Sequence, residues 1–168
     1  MAAVDPEQHE VVFRIAVIGG VGQRFVERLN LTDGALELGV VLGYRTRLAF
    51  QVFADDPWAG DGKGGAALEE LVPALDALVL TDDFTAGAHY SSSAVERLSK
   101  VLLPLKLRIP SAVFGGPALA EEWSSLSGAP VLALVDPKSD DTQSIVKALT
   151  KALLRSNIRS TPPPPAAG

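Results

Sequence analysis

The chain has 168 residues, of which 47% are hydrophobic and 21% charged, a balance that fits one globular domain. Its net charge of −5 argues against binding to nucleic acid, which needs a basic stripe, and against an anionic membrane surface. The absence of cysteine excludes disulfides, thiol catalysis, thiolate metal sites and prenylation. No apolar run approaches the roughly 20 residues that span a bilayer, so we predict a cytoplasmic protein without membrane insertion or lipidation.

The hydrophobic pattern predicts strands and helices that mostly alternate along the chain. Residues 1–10 are acidic and short of apolar residues, so we expect a flexible leader there. The predicted strands cover residues 11–18, 36–42, 45–53, 76–80, 110–114 and 130–135. The predicted helices cover residues 23–31, 66–75, 91–103, 119–126 and 141–155. The domain therefore spans residues 11–156, and residues 157–168 form a proline-rich tail that we expect to be disordered.

Two strands follow each other closely after the first helix. The second of these strands begins shortly after the apolar run over residues 36–42. In it the apolar residues Leu48, Phe50 and Val52 occupy alternate positions. Parallel strands need a crossover of a dozen or more residues, so this pair is predicted to be an antiparallel hairpin that turns near Gly43 and Tyr44. The remaining alternation predicts a three-layer α/β fold, in which helices cover both faces of a mainly parallel six-stranded sheet with one antiparallel strand.

A glycine loop, Gly19-Gly20-Val21-Gly22, joins the first strand to the first helix. Backbone N–H groups of such a loop can cradle a phosphate, and Arg24 at the start of the helix could approach one. Glycine also tolerates positive φ, so the same residues can form a tight turn with no ligand. The tight turn is the interpretation that we favour.

This order of elements resembles that of the Ras-like small GTPases over residues 11–155, and the early hairpin is its most distinctive feature. Residues 15–22 also resemble the family's first strand and loop. Residues 109–115 resemble the strand before its guanine-reading motif, and residues 130–154 its last strand and helix. The resemblance implies a Ras-like topology with a P-loop, and GTP or GDP with Mg²⁺ as the ligands of a member with intact motifs.

The phosphate-binding motif of that family, G-x-x-x-x-G-K-[ST], is degenerate here. Val17 stands at the first glycine, Gln23 at the lysine, and Arg24 at the hydroxyl residue that holds magnesium. A neutral amide cannot supply the charge of lysine, and arginine cannot ligate a cation. If nucleotide binds at all, the resemblance implies contacts from residues 19–24 and from Lys138.

The base and metal motifs of the family are degenerate as well. Gly116-Pro117-Ala118-Leu119 replaces N-K-x-D, and Asp136-Pro137-Lys138 replaces S-A-K and keeps only the lysine. Thr32 and Asp56 are weak stand-ins for the residues that hold the metal. We therefore predict a pseudo-GTPase without catalytic residues or cofactor, which acts as a protein-binding or scaffolding subunit.

Partner contacts are predicted in the loop over residues 55–65 and at the edge of the hairpin, residues 36–53. Trp58 lies in a polar, glycine-rich loop, where its ring could anchor a partner or fold back onto the sheet. Asp55 and Asp56 precede it, and Tyr44 lies at the hairpin turn.

Two alternatives to the pseudo-GTPase remain open. The first is an atypical GTPase that still binds GTP or GDP. The second is a different ligand-binding α/β domain that uses residues 81–90, including His89 and Tyr90, although no nucleophile–base pair supports an enzyme there.

Overall fold

The computed structural model describes residues 3–5, 9–19, 21–41, 43–53, 61–81, 100–101, 109–128, 131–136, 138–139 and 141–160. Its strands are β1 (Ala3–Asp5), β2 (Glu10–Ile18), β3 (Ala35–Val41), β4 (Tyr44–Phe53), β5 (Ala77–Thr81), β6 (Ser111–Phe114) and β7 (Leu134–Val135). Its helices are α1 (Gly22–Glu27), α2 (Lys63–Leu71), α3 (Pro117–Ser127) and α4 (Thr142–Ser160), with a 3-10 turn at Val72–Ala74. Within these ranges, no helix is long and apolar enough to cross a bilayer.

The strands form one mixed sheet in the order β3-β4-β2-β5-β6-β7. β2 is parallel to both β4 and β5, and the pairs β5–β6 and β6–β7 are parallel as well. β3 is antiparallel to β4, with Val41 opposite Tyr44, so the chain reverses beside Gly43. The predicted α/β class, with a mainly parallel sheet and an antiparallel hairpin, is confirmed.

The first strand corrects the prediction of a flexible leader over residues 1–10. β1 pairs antiparallel with β2, with Ala3 opposite Val12 and Asp5 opposite Glu10. On that side of β2, β5 pairs only with Ile15–Ile18, so β1 supplies backbone partners that the first half of β2 would otherwise lack. A strand of three residues is too short to show a hydrophobic period, which is why the sequence pattern misses it.

Two hydrophobic clusters cover the two faces of the sheet because alternate residues of β2 point in opposite directions. The cluster beneath α1 and α4 contains Phe13, Ile15, Val17, Phe25, Phe114, Ile145, Leu149 and Leu153. The cluster beneath α2 and α3 contains Ala16, Ile18, Leu68, Leu78, Leu80, Val113, Leu119 and Trp123. The carboxyl half of β2 is therefore buried on both faces, as its apolar run predicts.

Helix boundaries differ from the predicted ones for local reasons. α1 ends at Glu27 rather than residue 31, and Asn30 then adopts a positive φ of 52°. α2 begins at Lys63 rather than at residue 66, and it gives way to the 3-10 turn that contains Pro73. Apart from helical Lys100 and Val101, the predicted helix over 91–103 lies outside the described residues, as does the tail from residue 161.

Candidate functional site

The turn from β2 to α1 is the candidate site, because β2, β4, β5 and β6 are parallel and end at the same edge of the sheet. β2 continues through Ile18 and α1 begins at Gly22, so only residues 19–21 connect them. Val17 and Ile18 stay in the sheet, paired with the ends of both β4 and β5. Two of the positions that match the phosphate loop are therefore part of a strand.

Two backbone donors in the described part of the turn are engaged within the protein. The N–H of Gly19 donates to the carbonyl oxygen of Phe53 at 3.0 Å, and the N–H of Gly22 donates to the carbonyl oxygen of Gly19 at 3.1 Å. A phosphate cradle needs such N–H groups to point at the ligand. These two donors stabilise the turn and its junction with β4 instead.

Gly19 is required by the close approach of β5. Its φ is +130°, and a Cβ at this position would lie 2.9 Å from the carbonyl carbon of Thr81 and closer still to the carbonyl oxygen and Oγ1. The Thr81 hydroxyl donates to the carbonyl oxygen of Ile18 at 3.1 Å, which holds the two strand ends together. The packing of the fold thus accounts for this glycine without a ligand.

Apolar side chains fill the space beneath the turn. A Cβ on Gly22 would lie 3.1 Å from Cγ1 of both Val17 and Val52. Val17 and Val21 are buried in the same cluster as Phe25 of α1. Val17 stands where the resembling family has a glycine, and its side chain is buried in the core beneath α1.

Polar residues predicted to contact a nucleotide differ in their surroundings. Gln23 is exposed at the start of α1, and Arg24 is half-buried beside it. Lys138 is exposed after β7, where its backbone N–H donates to Oδ1 of Asp136 at 2.8 Å. Gly20 lies outside the described residues.

Arg28 also contributes to this edge of the sheet, although no motif in the sequence marks it. Its guanidinium donates to the carbonyl oxygen of Ser139 at 2.8 Å and lies 5.8 Å from the centroid of the Phe114 ring. It thereby links α1 to the end of β6 and to the segment after β7. A single arginine at the end of a short helix carries no sequence signal for this contact.

Leu119 occupies the position at which the resemblance implies a base-reading aspartate. It lies in the first turn of α3 and is only 3% exposed. It packs in the cluster that contains Val113 and Trp123. This position therefore contributes to the core rather than to a polar site.

The other predicted site residues are spread along the chain. Thr32 is exposed, and its backbone forms a bridge with Ala35. Tyr44 is 5% exposed and lies 5.9 Å from the ring of His9, so its ring offers little surface to a partner. Asp55, Asp56, Trp58, His89 and Tyr90 lie outside the described residues. Within the described part of the chain, no three His, Asp or Glu side chains cluster as a metal site would require.

No protein-family model matches the chain, and no curated protein matches it significantly.

A buried carboxylate lies away from the turn, at the amino end of β5. Asp76 accepts a hydrogen bond from the backbone N–H of Arg14 through Oδ2 at 2.8 Å, and its own N–H donates to the carbonyl oxygen of Arg14 at 2.8 Å. Burial raises the pKa of Asp76, and the hydrogen bond from Arg14 opposes that rise. These bonds give Asp76 a structural role in joining β5 to β2.

Proposed function

We propose that this protein is a Ras-like pseudo-GTPase that binds no nucleotide and acts as a protein-binding or scaffolding subunit. The observation that carries the proposal is the closed turn between β2 and α1. The N–H groups of Gly19 and Gly22 are bonded within the protein, and the side chain of Val17 packs beneath Gly22. Exposed Gln23 stands where a phosphate-binding lysine is needed.

The Ras-like part of the proposal is supported by the hairpin. β3 and β4 follow α1 directly, and β4 returns parallel to β2 at the centre of the sheet. Response-regulator receivers and flavodoxins, which share the βα alternation, lack this hairpin. The position of the glycine turn after β2 agrees with the same arrangement.

The protein-binding part of the proposal is supported by the edge of the sheet. β3 pairs only with β4 among the described strands, and beyond Ala35, whose backbone bonds to Thr32, its outer edge can accept another chain. Val40 on this strand is 73% exposed. A bulge between Glu37 and Gly39 bends the strand, which limits uncontrolled edge pairing while leaving the strand accessible.

Nucleotide content tests the first half of the proposal. The protein is purified, denatured, and its supernatant separated by anion exchange beside that of a functional small GTPase as the positive control. We expect no GDP or GTP, and no binding of a fluorescent GTP analogue in the presence of magnesium. Stoichiometric nucleotide, or binding in the micromolar range, would instead establish the atypical GTPase.

Edge variants test the second half. Val40→Lys places a charge on β3, and Leu134→Lys makes the matched change on β7 at the opposite edge, where Leu134 is also exposed. Partners captured by the wild-type protein and then purified should bind the β7 variant normally and the β3 variant weakly. Equal binding to both variants would remove the β3 edge from the proposal.

A further inference from the structure

α4 has a charge opposite to that of the whole chain. Its 19 residues include Lys147, Lys151, Arg155 and Arg159 and no acidic residue, whereas the protein has a net charge of −5. The four basic residues recur at every fourth position. Each is therefore about 6 Å further along the helix axis than the one before it and turned by about 40° around that axis.

Side-chain exposure places these cations on the outer side of the helix. Lys147, Lys151 and Arg155 are exposed, and we name these three residues the α4 basic stripe. Ile145 and Leu149, from the opposite side of α4, are buried against the sheet. The stripe therefore faces solvent.

The α4 basic stripe is not neutralised within the part of the chain that the structure describes. The ion pairs found there join Arg45 to Glu37, Arg47 to Glu10, and Lys63 to Asp61. Like charges four residues apart on a helix repel each other, so the stripe weakens α4 itself. A partner that supplies carboxylates would remove this repulsion.

Four of the five acidic residues in the described helices lie on the other face of the sheet, whereas Glu27 of α1 lies on the face that α4 covers. α2 carries Glu69 and Glu70, and α3 carries Glu121 and Glu122. The protein is therefore polarised, with a local positive surface on a negative molecule. The net negative charge of the protein repels an extended polyanion. At physiological salt, charges further away than about 8 Å are largely screened, so a small ligand in contact with the stripe interacts mainly with the stripe. A small acidic partner fits this distribution better than a membrane or a nucleic acid.

We propose that the α4 basic stripe docks an acidic helical segment of a partner protein, with carboxylates that also recur every four residues. The proposal rests on the proposed function as a protein-binding subunit and assigns it a surface and a partner chemistry. A helical partner matches the 6 Å repeat of the stripe. Insertion of α4 into a membrane would need a free apolar face, and that face of α4 is buried in the core.

A synthetic peptide tests the proposal. The probe is a fluorescent helical peptide of alanine and glutamine with glutamate at every fourth position, and its control has glutamine in place of glutamate. Binding is measured by fluorescence anisotropy at low ionic strength. The test variant is K147Q/K151Q/R155Q, and the matched variant K63Q/K100Q/K138Q removes three exposed charges elsewhere. Both have the same net charge and replace only exposed side chains.

We expect the wild-type protein to bind the acidic peptide but not its control. The α4 variant should bind about tenfold more weakly, and the matched variant within about twofold of wild type. Equal weakening in both variants would reduce the effect to net charge and overturn the proposal. So would absence of wild-type binding, or α4-dependent binding to phosphatidylserine vesicles or single-stranded DNA without binding to the peptide.

Nucleotide content measured on the same preparations keeps the two proposals separate. A nucleotide-free protein that ignores the peptide overturns the acidic partner alone. A nucleotide-loaded protein overturns the pseudo-GTPase, whatever the peptide result.

Discussion

Replacement of Gly19 by alanine tests whether the glycine turn is dictated by the fold. Gly19 has a φ of +130°, which L-residues rarely adopt, and its backbone lies against Thr81 at the end of β5. The added methyl group would overlap the Thr81 carbonyl, so the turn and the strand end would have to separate. That movement would break the hydrogen bond from the Thr81 hydroxyl to Ile18.

The expected loss of stability combines two contributions. A non-glycine residue in this backbone region costs about 2 kcal/mol. Loss of the Thr81–Ile18 hydrogen bond adds about 1 kcal/mol. The sum of about 3 kcal/mol is a large share of the 5–15 kcal/mol typical of a domain, and it should lower the melting temperature by roughly 10 °C.

Urea unfolding measures this loss, and Gly34→Ala provides the control. Gly34 also has a positive φ, of 76°, but a Cβ there would meet nothing within 4 Å. Its replacement should therefore cost only about 1 kcal/mol. Tryptophan fluorescence, to which the buried Trp123 contributes, and circular dichroism should report the same transition for each variant. If the two variants lose equal stability, the close approach to Thr81 does not explain Gly19.

Three further predictions concern single residues. Gln23→Lys restores the charge of a phosphate-binding lysine at an exposed position; it should change stability by less than about 0.5 kcal/mol and give no GTP binding in a fluorescent-analogue titration. Leu119→Asp should destabilise the protein by about 4 kcal/mol in urea, again without GTP binding, because it places a carboxylate in the core. Asp76 has a raised pKa in the fold, so the stability from its bound proton is complete below its ordinary value of 3.8 and is lost as the pH rises through the raised value. The urea midpoint of wild type relative to Asp76→Asn should therefore fall with rising pH across that window, and a constant difference would contradict the assignment.

Much of the fold follows from local patterns in the sequence. The apolar run of β2 and the alternation of β4 show their type directly, and the short connection beside Gly43 requires an antiparallel pair. β1 cannot be found in this way, because its three residues are too few to show a hydrophobic period and it is recognised by its pairing with β2. The start of α3 has a local signal, since Pro117 is favoured in the first turn of a helix.

The position of the candidate site could be predicted from the sequence, but whether its glycine turn is open or closed could not. The glycine spacing marks the turn after β2, yet the end of that strand depends on Val52 and Phe53 of β4, which hold Val17 and Ile18 in the ladder. The need for glycine at position 19 arises from Thr81, which is far away in sequence. Pairing between distant strands therefore decides whether the glycine turn is open or closed.

Geometry, rather than the missing lysine, is the deeper reason to expect no nucleotide. A lysine at position 23 would supply one charge, but a phosphate cradle takes several backbone N–H groups that converge on the ligand. Here Val17 and Ile18 are committed to the sheet, and the N–H groups of Gly19 and Gly22 already have protein acceptors. To reopen the turn, the end of β2 would have to separate from β4 and β5, with exposure of the apolar side chains that pack there. A single substitution at the start of α1 cannot provide that energy. If Gln23→Lys still gives no GTP binding, the geometry of the turn prevents binding; if GTP binds, only the charge of the lysine was missing.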